Sequence, residues 1–414
     1  MLIDRPKVET TVFAVLGAAS FCHLLNDLMQ SVFVAAYPIF KGGFDLNFGQ
    51  IGLLTLTYQI TASLLQPVIG IYTDRRPLPY SLPFGMVFSL TGYLVLAFAP
   101  HYLMLLAGGA LLGIGSSIFH PESSRLARLA SGGAHGLAQS LFQVGGNIGT
   151  AIGPLLVAFF VIPRGQTSLA WLALAALGGM VVLTGLAHWY KSRGQSRRHA
   201  LGPASGNSGL TRRQVRNAVA VLVALMLSKY FYLASFSSYY IFYLMQRFGL
   251  TAQTGQLYLF VFLAAVAIGT LIGGPVGDRI GRKKVIWGSI LGILPFTLAL
   301  PHVNLTITVA LSIIIGLVLA SAFSAIVVYA QELMPGRVGM VSGLFFGLSF
   351  GMGGLGAALL GELADWTSIG FVYEVCSFLP LIGLLAALLP DVDHKSMPLR
   401  ALRPQRSQTI RAAE

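Results

Sequence analysis

Gly274-Pro275-Val276-Gly277-Asp278-Arg279-Ile280-Gly281-Arg282-Lys283-Lys284 closes one long apolar run, and Gly70-Ile71-Tyr72-Thr73-Asp74-Arg75-Arg76 closes another. Each string is a small residue, then an Asp-Arg pair, then basic residues, placed where an apolar helix meets water. Asp74 and Asp278 stand 204 positions apart, about half of the 414-residue chain. A polar signature repeated at half-chain spacing marks a duplicated bundle of membrane helices.

The composition agrees. The chain is 55% hydrophobic and only 10% charged, with a mean hydropathy of +0.75. Soluble domains carry about 25% charged residues. A membrane span needs roughly 20 apolar residues, so the chain has room for about twelve. Lipid offers the backbone no hydrogen-bond partner, and long apolar runs without alternation select helices over a barrel. The expected spans are about 12–39, 48–72, 81–99, 102–129, 134–161, 167–189, 215–243, 253–276, 284–301, 304–331, 338–361 and 368–389. The fourth is long because of the repeat. Gly136 matches Gly339 at an offset of 203, so the fourth span runs to about Leu129 as the tenth runs to about Gln331. His120 and Glu122 then lie well inside the membrane.

The net charge of +13 would suggest nucleic acid in a soluble protein. Here the basic residues gather in particular loops, which is a topology signal. With the N-terminus in the cytoplasm, the inner loops and tails hold nearly all the cations, among them Arg75, Arg76, Arg197, Arg198, Arg279, Arg282, Lys283 and Lys284. The outer loops hold only Lys41, Arg164 and Arg247. Both termini are therefore expected inside, in a bacterial inner membrane. No cleavable leader is expected: Asp4, Arg5, Lys7 and Glu9 precede an apolar run too long for one. Cys22 and Cys376 fall inside spans and read as buried free thiols. The expected organisation is a six-helix half over 1–190, a basic Ser/Gly/Arg-rich cytoplasmic linker over 191–214, a second six-helix half over 215–390 and a cytoplasmic tail over 391–414.

Twelve spans, a central basic loop and the paired Gly-x-x-x-Asp-Arg strings together resemble the major facilitator superfamily of secondary transporters, over nearly the whole chain. The first string lacks the usual continuation, since Pro77-Leu78-Pro79 follows Arg76. The resemblance implies an all-α integral membrane fold of two pseudo-symmetric halves working by alternating access. It also implies that Gly70, Asp74, Arg75, Gly274, Asp278 and Arg279 form gating latches, between spans two and eleven and between spans eight and five. A carboxylate near a helix N-terminus is favourable, which supports the role. A narrower resemblance lies in Gly113-Ile114-Gly115-Ser116-Ser117-Ile118-Phe119-His120-Pro121-Glu122-Ser123-Ser124-Arg125, in Gln139 to Gly149, and in Cys22-His23-Leu24-Leu25-Asn26-Asp27. This set is similar to the fosmidomycin-resistance branch, which exports a small phosphonate antibiotic. Gly145-x3-Gly149-x3-Gly153-Pro154 is similar to part of the antiporter motif of drug/proton exchangers; its plain reading is close helix packing by small residues. The Arg those exchangers carry in the fourth span is absent, with Gly109 near that position, so proton coupling must use other residues.

Charges inside a bilayer are costly and usually functional. His23, Asn26 and Asp27 lie within one turn of the first span; His120, Glu122 and Arg125 lie within two turns of the fourth; Lys229 lies midway along the seventh, near Tyr239 and Tyr240. In the fold implied by the resemblance these spans line a central cavity. Glu122 and Arg125 are spaced i, i+3 for a salt bridge, and the bland reading is that they simply neutralise each other. His120 has an equally bland reading as a hydrogen-bonded core histidine. Asp27 and His23, one turn apart, are placed to share a proton. The repeat maps Glu122 onto Ala325, His120 onto Phe323 and Asp27 onto Phe231, so the first half is polar where the second is apolar.

Asp27, Glu122 and His120 are thus the expected proton-coupling residues. His23, Asn26, Arg125, Lys229, Tyr239 and Tyr240 are the expected substrate-binding residues, the cations meeting an anionic group in a dry site. The expected activity is proton-coupled export of a small anionic drug. Import of organic anions, generic multidrug/proton antiport and a non-transporting sensor remain the alternatives. The expected partners are a small-molecule substrate, protons and membrane lipids, with no cofactor, no metal, no nucleic acid and a single chain. No nucleotide-binding loop or nucleophile triad suggests an enzyme.

Overall fold

The computed structural model describes residues 11–75, 78–131, 135–193, 210–334 and 338–391. They are all helical, with no strand among them. In chain order the helices are α1 (Phe13–Ala35), α2 (Tyr37–Phe44), α3 (Phe48–Arg75), α4 (Ser81–Ala97), α5 (Tyr102–Ala130) and α6 (His135–Leu156). A π turn at Val157–Val161 leads to α7 (Ile162–Arg164), and a 3-10 stretch at Gln166–Trp171 leads into α8 (Leu172–Arg193). Then come α9 (Arg212–Phe248), α10 (Ala252–Ile280), α11 (Arg282–Ile290), α12 (Leu294–Ala299), α13 (Leu305–Ala320), α14 (Ala322–Leu333), α15 (Val338–Trp366) and α16 (Ile369–Ser377).

Nine helical stretches among the described residues are long and apolar enough to cross a membrane. The chain is a multi-pass membrane protein. Its helices bury one side and turn large apolar residues outward, as Leu103, Phe159, Val181 and Leu388 do. In water such a surface would aggregate; in lipid it is solvated. α4 is apolar but shorter. α1 and α3 are less apolar because they carry internal polar side chains, Asn26, Asp27 and Gln30 on one and Gln59 and Gln66 on the other. The fourth expected span ends at Ala130, one residue from the expectation set by the repeat. The seventh is longer than expected: α9 starts at Arg212 and runs on to Phe248, where the Arg247 guanidinium lies 5.6 Å from the Phe248 ring centroid.

Local chemistry sets the ends. Thr211 and Gln214 cap α9 reciprocally. Asn304 caps α13 and Ser368 caps α16. Gly281, in the repeated basic string, takes φ 95°, a conformation open to glycine and costly for other residues. It breaks the chain sharply between α10 and α11, which explains the last glycine of that string.

α3 packs along α15, α6 along α10, and α1 along α6. The last contact is close. A Cβ added at Gly145 would meet the backbone of Ser20, one at Gly149 the backbone of Leu24 and Leu28, and one at Gly153 the Ser31 side chain. The glycine row therefore seats α6 directly on α1, as its plain reading expects. Ser20 donates to the Leu141 carbonyl and Ser31 to the Thr150 carbonyl, both at 2.7 Å, across the same contact.

Hydrogen bonds tie residues 11–193 to residues 210–391 at the Phe48 end of α3, the end opposite Arg75. Asp365, at the end of α15, accepts from the Phe48 and Gly49 backbone N–H groups at 2.9 and 2.7 Å. These are orphan donors of the first turn of α3, so the carboxylate caps a helix from another part of the chain. Tyr239 donates to the Phe48 carbonyl at 3.3 Å, and Gln253 donates to the Ala158 carbonyl at 3.2 Å.

Candidate functional site

α1 places His23 and Asp27 one turn apart on the side facing α5 and α6. Their side chains meet: His23 Nε2 lies 3.2 Å from Asp27 Oδ2. α5 brings in His120, whose Nε2 lies 3.5 Å from Asp27 Oδ1. Asp27 is therefore clasped between two imidazoles, one on each oxygen. Asn26 adds a third contact, donating to Oδ1 at 2.9 Å.

Both rings are oriented from behind. His23 Nδ1 lies 2.9 Å from the Phe142 carbonyl, and the ring stacks on Phe142 with centroids 4.1 Å apart. His120 Nδ1 lies 3.0 Å from the Ser116 carbonyl. A carbonyl oxygen only accepts, so each Nδ1 carries the hydrogen and each Nε2 is left pointing at the carboxylate. Pro121 follows His120 inside α5 and has no N–H to give the preceding turn. Gly146 lets α6 approach the pair closely: a Cβ there would sit 2.5 Å from His23 Nε2 and 2.6 Å from Asp27 Oδ2.

Asp27 forms part of the wall of a cavity of about 190 Å³. The wall also holds Gln30 and Ser31 of α1, Tyr58 and Gln59 of α3, Leu263 of α10 and Phe350 of α15. Gln30 links the cavity to the histidines. It donates to Ser116 Oγ at 3.1 Å and accepts from the Tyr58 hydroxyl. Gln30, Ser116 and Tyr58 were not among the residues expected from the sequence. Gln30 stands three residues after Asp27 in an apolar run, and that spacing was a signal. Tyr58 and Ser116 carried none.

The other expected residues are placed as follows. Glu122, buried, pairs with Arg125 at 3.2 Å on α5, the i, i+3 bridge that the spacing suggested. Arg125 also donates to the Thr73 carbonyl at 2.9 Å, tying α5 to α3. Lys229 is buried in α9, its Nζ 3.4 Å from the Ala320 carbonyl and 5.5 Å from the ring of Phe323, the residue that the repeat pairs with His120. Tyr239 and Tyr240 are fully buried in helix packing, and neither belongs to the cavity wall. Lys229 and Arg125 do not belong to it either. Of the expected gating residues, Arg279 is exposed at the end of α10. The side chains of Asp74, Arg75 and Asp278, and the surroundings of Gly70 and Gly274, lie outside the described residues. Cys22 and Cys376 are buried and free.

An all-helical bundle with a polar, carboxylate-bearing cavity between packed helices is the build of a membrane transporter. The family model of the Major Facilitator Superfamily matches residues 19–266 and 222–412, and the chain belongs to that superfamily. It is 58% identical over 390 residues to the fosmidomycin resistance protein of Escherichia coli, covering 93% of this chain and 95% of that protein. It is 42% identical to the uncharacterized MFS-type transporter YfnC of Bacillus subtilis, covering 94% and 95%. Among solved structures it is similar to a bacterial homologue of the lysosomal transporter Spinster, at TM-score 0.69 and 15% identity over 91% of this chain and 94% of the other. The nucleoside transporter NupG matches at TM-score 0.70 and 13% identity, over 91% and 98%. At that identity these two likenesses concern the fold.

Proposed function

We propose that this protein is a proton-coupled exporter of small anionic drugs, fosmidomycin-like phosphonates first among them, working by alternating access in a bacterial inner membrane. The observation that carries the reading is the Asp27 carboxylate clasped by two imidazoles on the wall of an interhelical cavity. The substrate class follows from the 58% identity to a fosmidomycin resistance protein. The reading takes the chain as twelve spans in two halves, 1–190 and 215–390, joined by the basic linker 191–214 and followed by the tail 391–414, with both termini cytoplasmic. It takes the protein as a working monomer in contact with lipid.

In the proposed cycle Asp27 exchanges a proton between the two faces of the membrane, with His23 and His120 relaying it. Glu122, held by Arg125, is a second titratable carboxylate beside that path. His23 and Asn26 act at the Asp27 end of the cavity, and Arg125 and Lys229 supply positive charge from behind the wall. Tyr239 and Tyr240 act on substrate only in a state that opens the packing around them. Asp74, Arg75, Asp278 and Arg279, with Gly70 and Gly274, latch the cytoplasmic end. Asp365 on the Phe48 N-terminus closes the opposite end.

The test is fosmidomycin accumulation in inside-out vesicles under an imposed pH gradient, acidic inside. Uptake driven by the gradient and abolished by an uncoupler is expected. Uptake only down the drug's own gradient would remove the coupling, and net movement in the opposite sense would make the protein an importer.

A further inference from the structure

The histidine pair has a chemical oddity. In their neutral forms both imidazoles carry hydrogen on Nδ1, fixed by the Phe142 and Ser116 carbonyls. Both then aim an Nε2 lone pair at the same carboxylate. Three acceptors facing one another repel unless a cation lies between them. Protons can fill that role, and so can a metal ion.

The geometry points to the second. The candidate ligand atoms of His23, Asp27 and His120, one from each residue, all lie within 4.8 Å of one another; His23 Nε2 is 3.2 Å from one carboxylate oxygen and His120 Nε2 3.5 Å from the other. Ligands at about 2.0–2.1 Å on a tetrahedral ion lie roughly 3.3 Å apart. A histidine that ligates a metal through one nitrogen almost always donates its other N–H to a carbonyl or carboxylate, as both do here. Two imidazoles and one carboxylate form a donor set suited to Zn²⁺ and its neighbours and poorly suited to Ca²⁺ or Mg²⁺. His23 is 1% exposed, whereas Asp27 and His120 are 17% and 20% exposed, so the set has a sealed side and an open one. Gly146 packs against the set, and any side chain there would press on His23 and Asp27.

We infer that His23, Asp27 and His120 form a binding site for a divalent transition-metal ion of the Zn²⁺ class, joining α1 to α5, with its remaining coordination position toward the cavity. Three protein ligands and one open position depart from the closed four-ligand pattern of structural zinc. An ion here bridges two helices at the cavity wall, so it is expected to hold them together and slow transport.

The experiment uses the full chain, tag removed, in detergent, titrated with Co²⁺ and then challenged with Zn²⁺. One Co²⁺ per chain with the intense visible absorption of a tetrahedral site, displaced by Zn²⁺, is expected. His120→Gln and Asp27→Asn are each expected to weaken binding at least about tenfold. Gly146→Ala removes no ligand yet is expected to do the same. His101→Gln, outside the site, is expected to leave binding unchanged. Thermal unfolding of each metal-free variant shows that it is folded. Absence of the tetrahedral spectrum in the wild type overturns the inference, and so does a spectrum that survives in folded His120→Gln and Asp27→Asn. The readout is binding, so it is independent of the substrate, direction and coupling proposed above.

Discussion

At the scale of residues, Asp27 is the side chain whose role the rest of the site depends on. A carboxylate in a bilayer is tolerated when it is paired or reaches water, and Asp27 has two imidazoles, an amide donor and the cavity. Asp27→Asn keeps the shape and removes the charge. Gradient-driven export is expected to fall at least about tenfold, the equivalent of ~1.4 kcal/mol, while gradient-free substrate exchange falls less. Glu122→Gln is expected to follow the same pattern if it also carries a proton. Equal loss of driven transport and of exchange would assign these residues to substrate binding. Arg125 makes a different case. It neutralises Glu122, which is buried, and also holds the Thr73 carbonyl. Arg125→Ala leaves a buried carboxylate without its guanidinium, and breaking such pairs costs about 3–5 kcal/mol. A marked fall in Tm in detergent is expected, larger than that of Glu122→Gln. A Tm unchanged from wild type would show that Arg125 is not a structural cation and would return it to the substrate.

At the scale of helices, the two ends of α3 carry opposing devices. At its start, Asp365 of α15 caps it with two charge-assisted bonds. Where it ends lies the Asp74 string of the proposed latch. A carboxylate at a helix N-terminus contributes about 0.3–1 kcal/mol when exposed, enough to shift a near-balanced pair of conformations several-fold. Asp365→Asn is therefore expected to raise cysteine labelling of the cavity from the Phe48 end. Asp74→Asn and Asp278→Asn are expected to raise it from the other end. Labelling probes that cross the membrane slowly separate the two. The same change in accessibility for all three variants would mean that the carboxylates act on overall stability and not on opposite gates.

At the scale of the whole molecule, the proposed preference for anionic drugs rests on the charge of the cavity. Asp27 is the acid on its wall; in the proposed function Lys229, buried in α9, supplies positive charge. With Asp27 protonated the Lys229 charge is unopposed and favours an anion; with it ionised the preference for an anion is lost. Expression in a drug-sensitive host compares protection against fosmidomycin with protection against a lipophilic cation such as ethidium. Protection against fosmidomycin alone is expected. Protection against ethidium alone would make the protein a generic multidrug exporter despite its 58% identity to a fosmidomycin resistance protein.

The sequence by itself determined what depends on neighbours along the chain. Apolar run length identified a membrane bundle, and the 203–204 offset placed the end of α5 to within a residue. Helical spacing anticipated the Glu122–Arg125 bridge and the His23–Asp27 contact, since residues three or four apart share a helix face. Only the tertiary structure decided which faces meet. His120 reaches Asp27 because α5 is rotated to present it to α1, and Gln30 meets Tyr58 because α3 approaches there. The tautomers of both histidines are set by carbonyls at Phe142 and Ser116, the first more than a hundred residues from its ring. Lys229, Tyr239 and Tyr240, polar residues in an apolar run, turned into packing and away from the cavity wall. The rotation of a helix in lipid is settled by packing against its neighbours, because an apolar solvent exerts little preference among apolar faces.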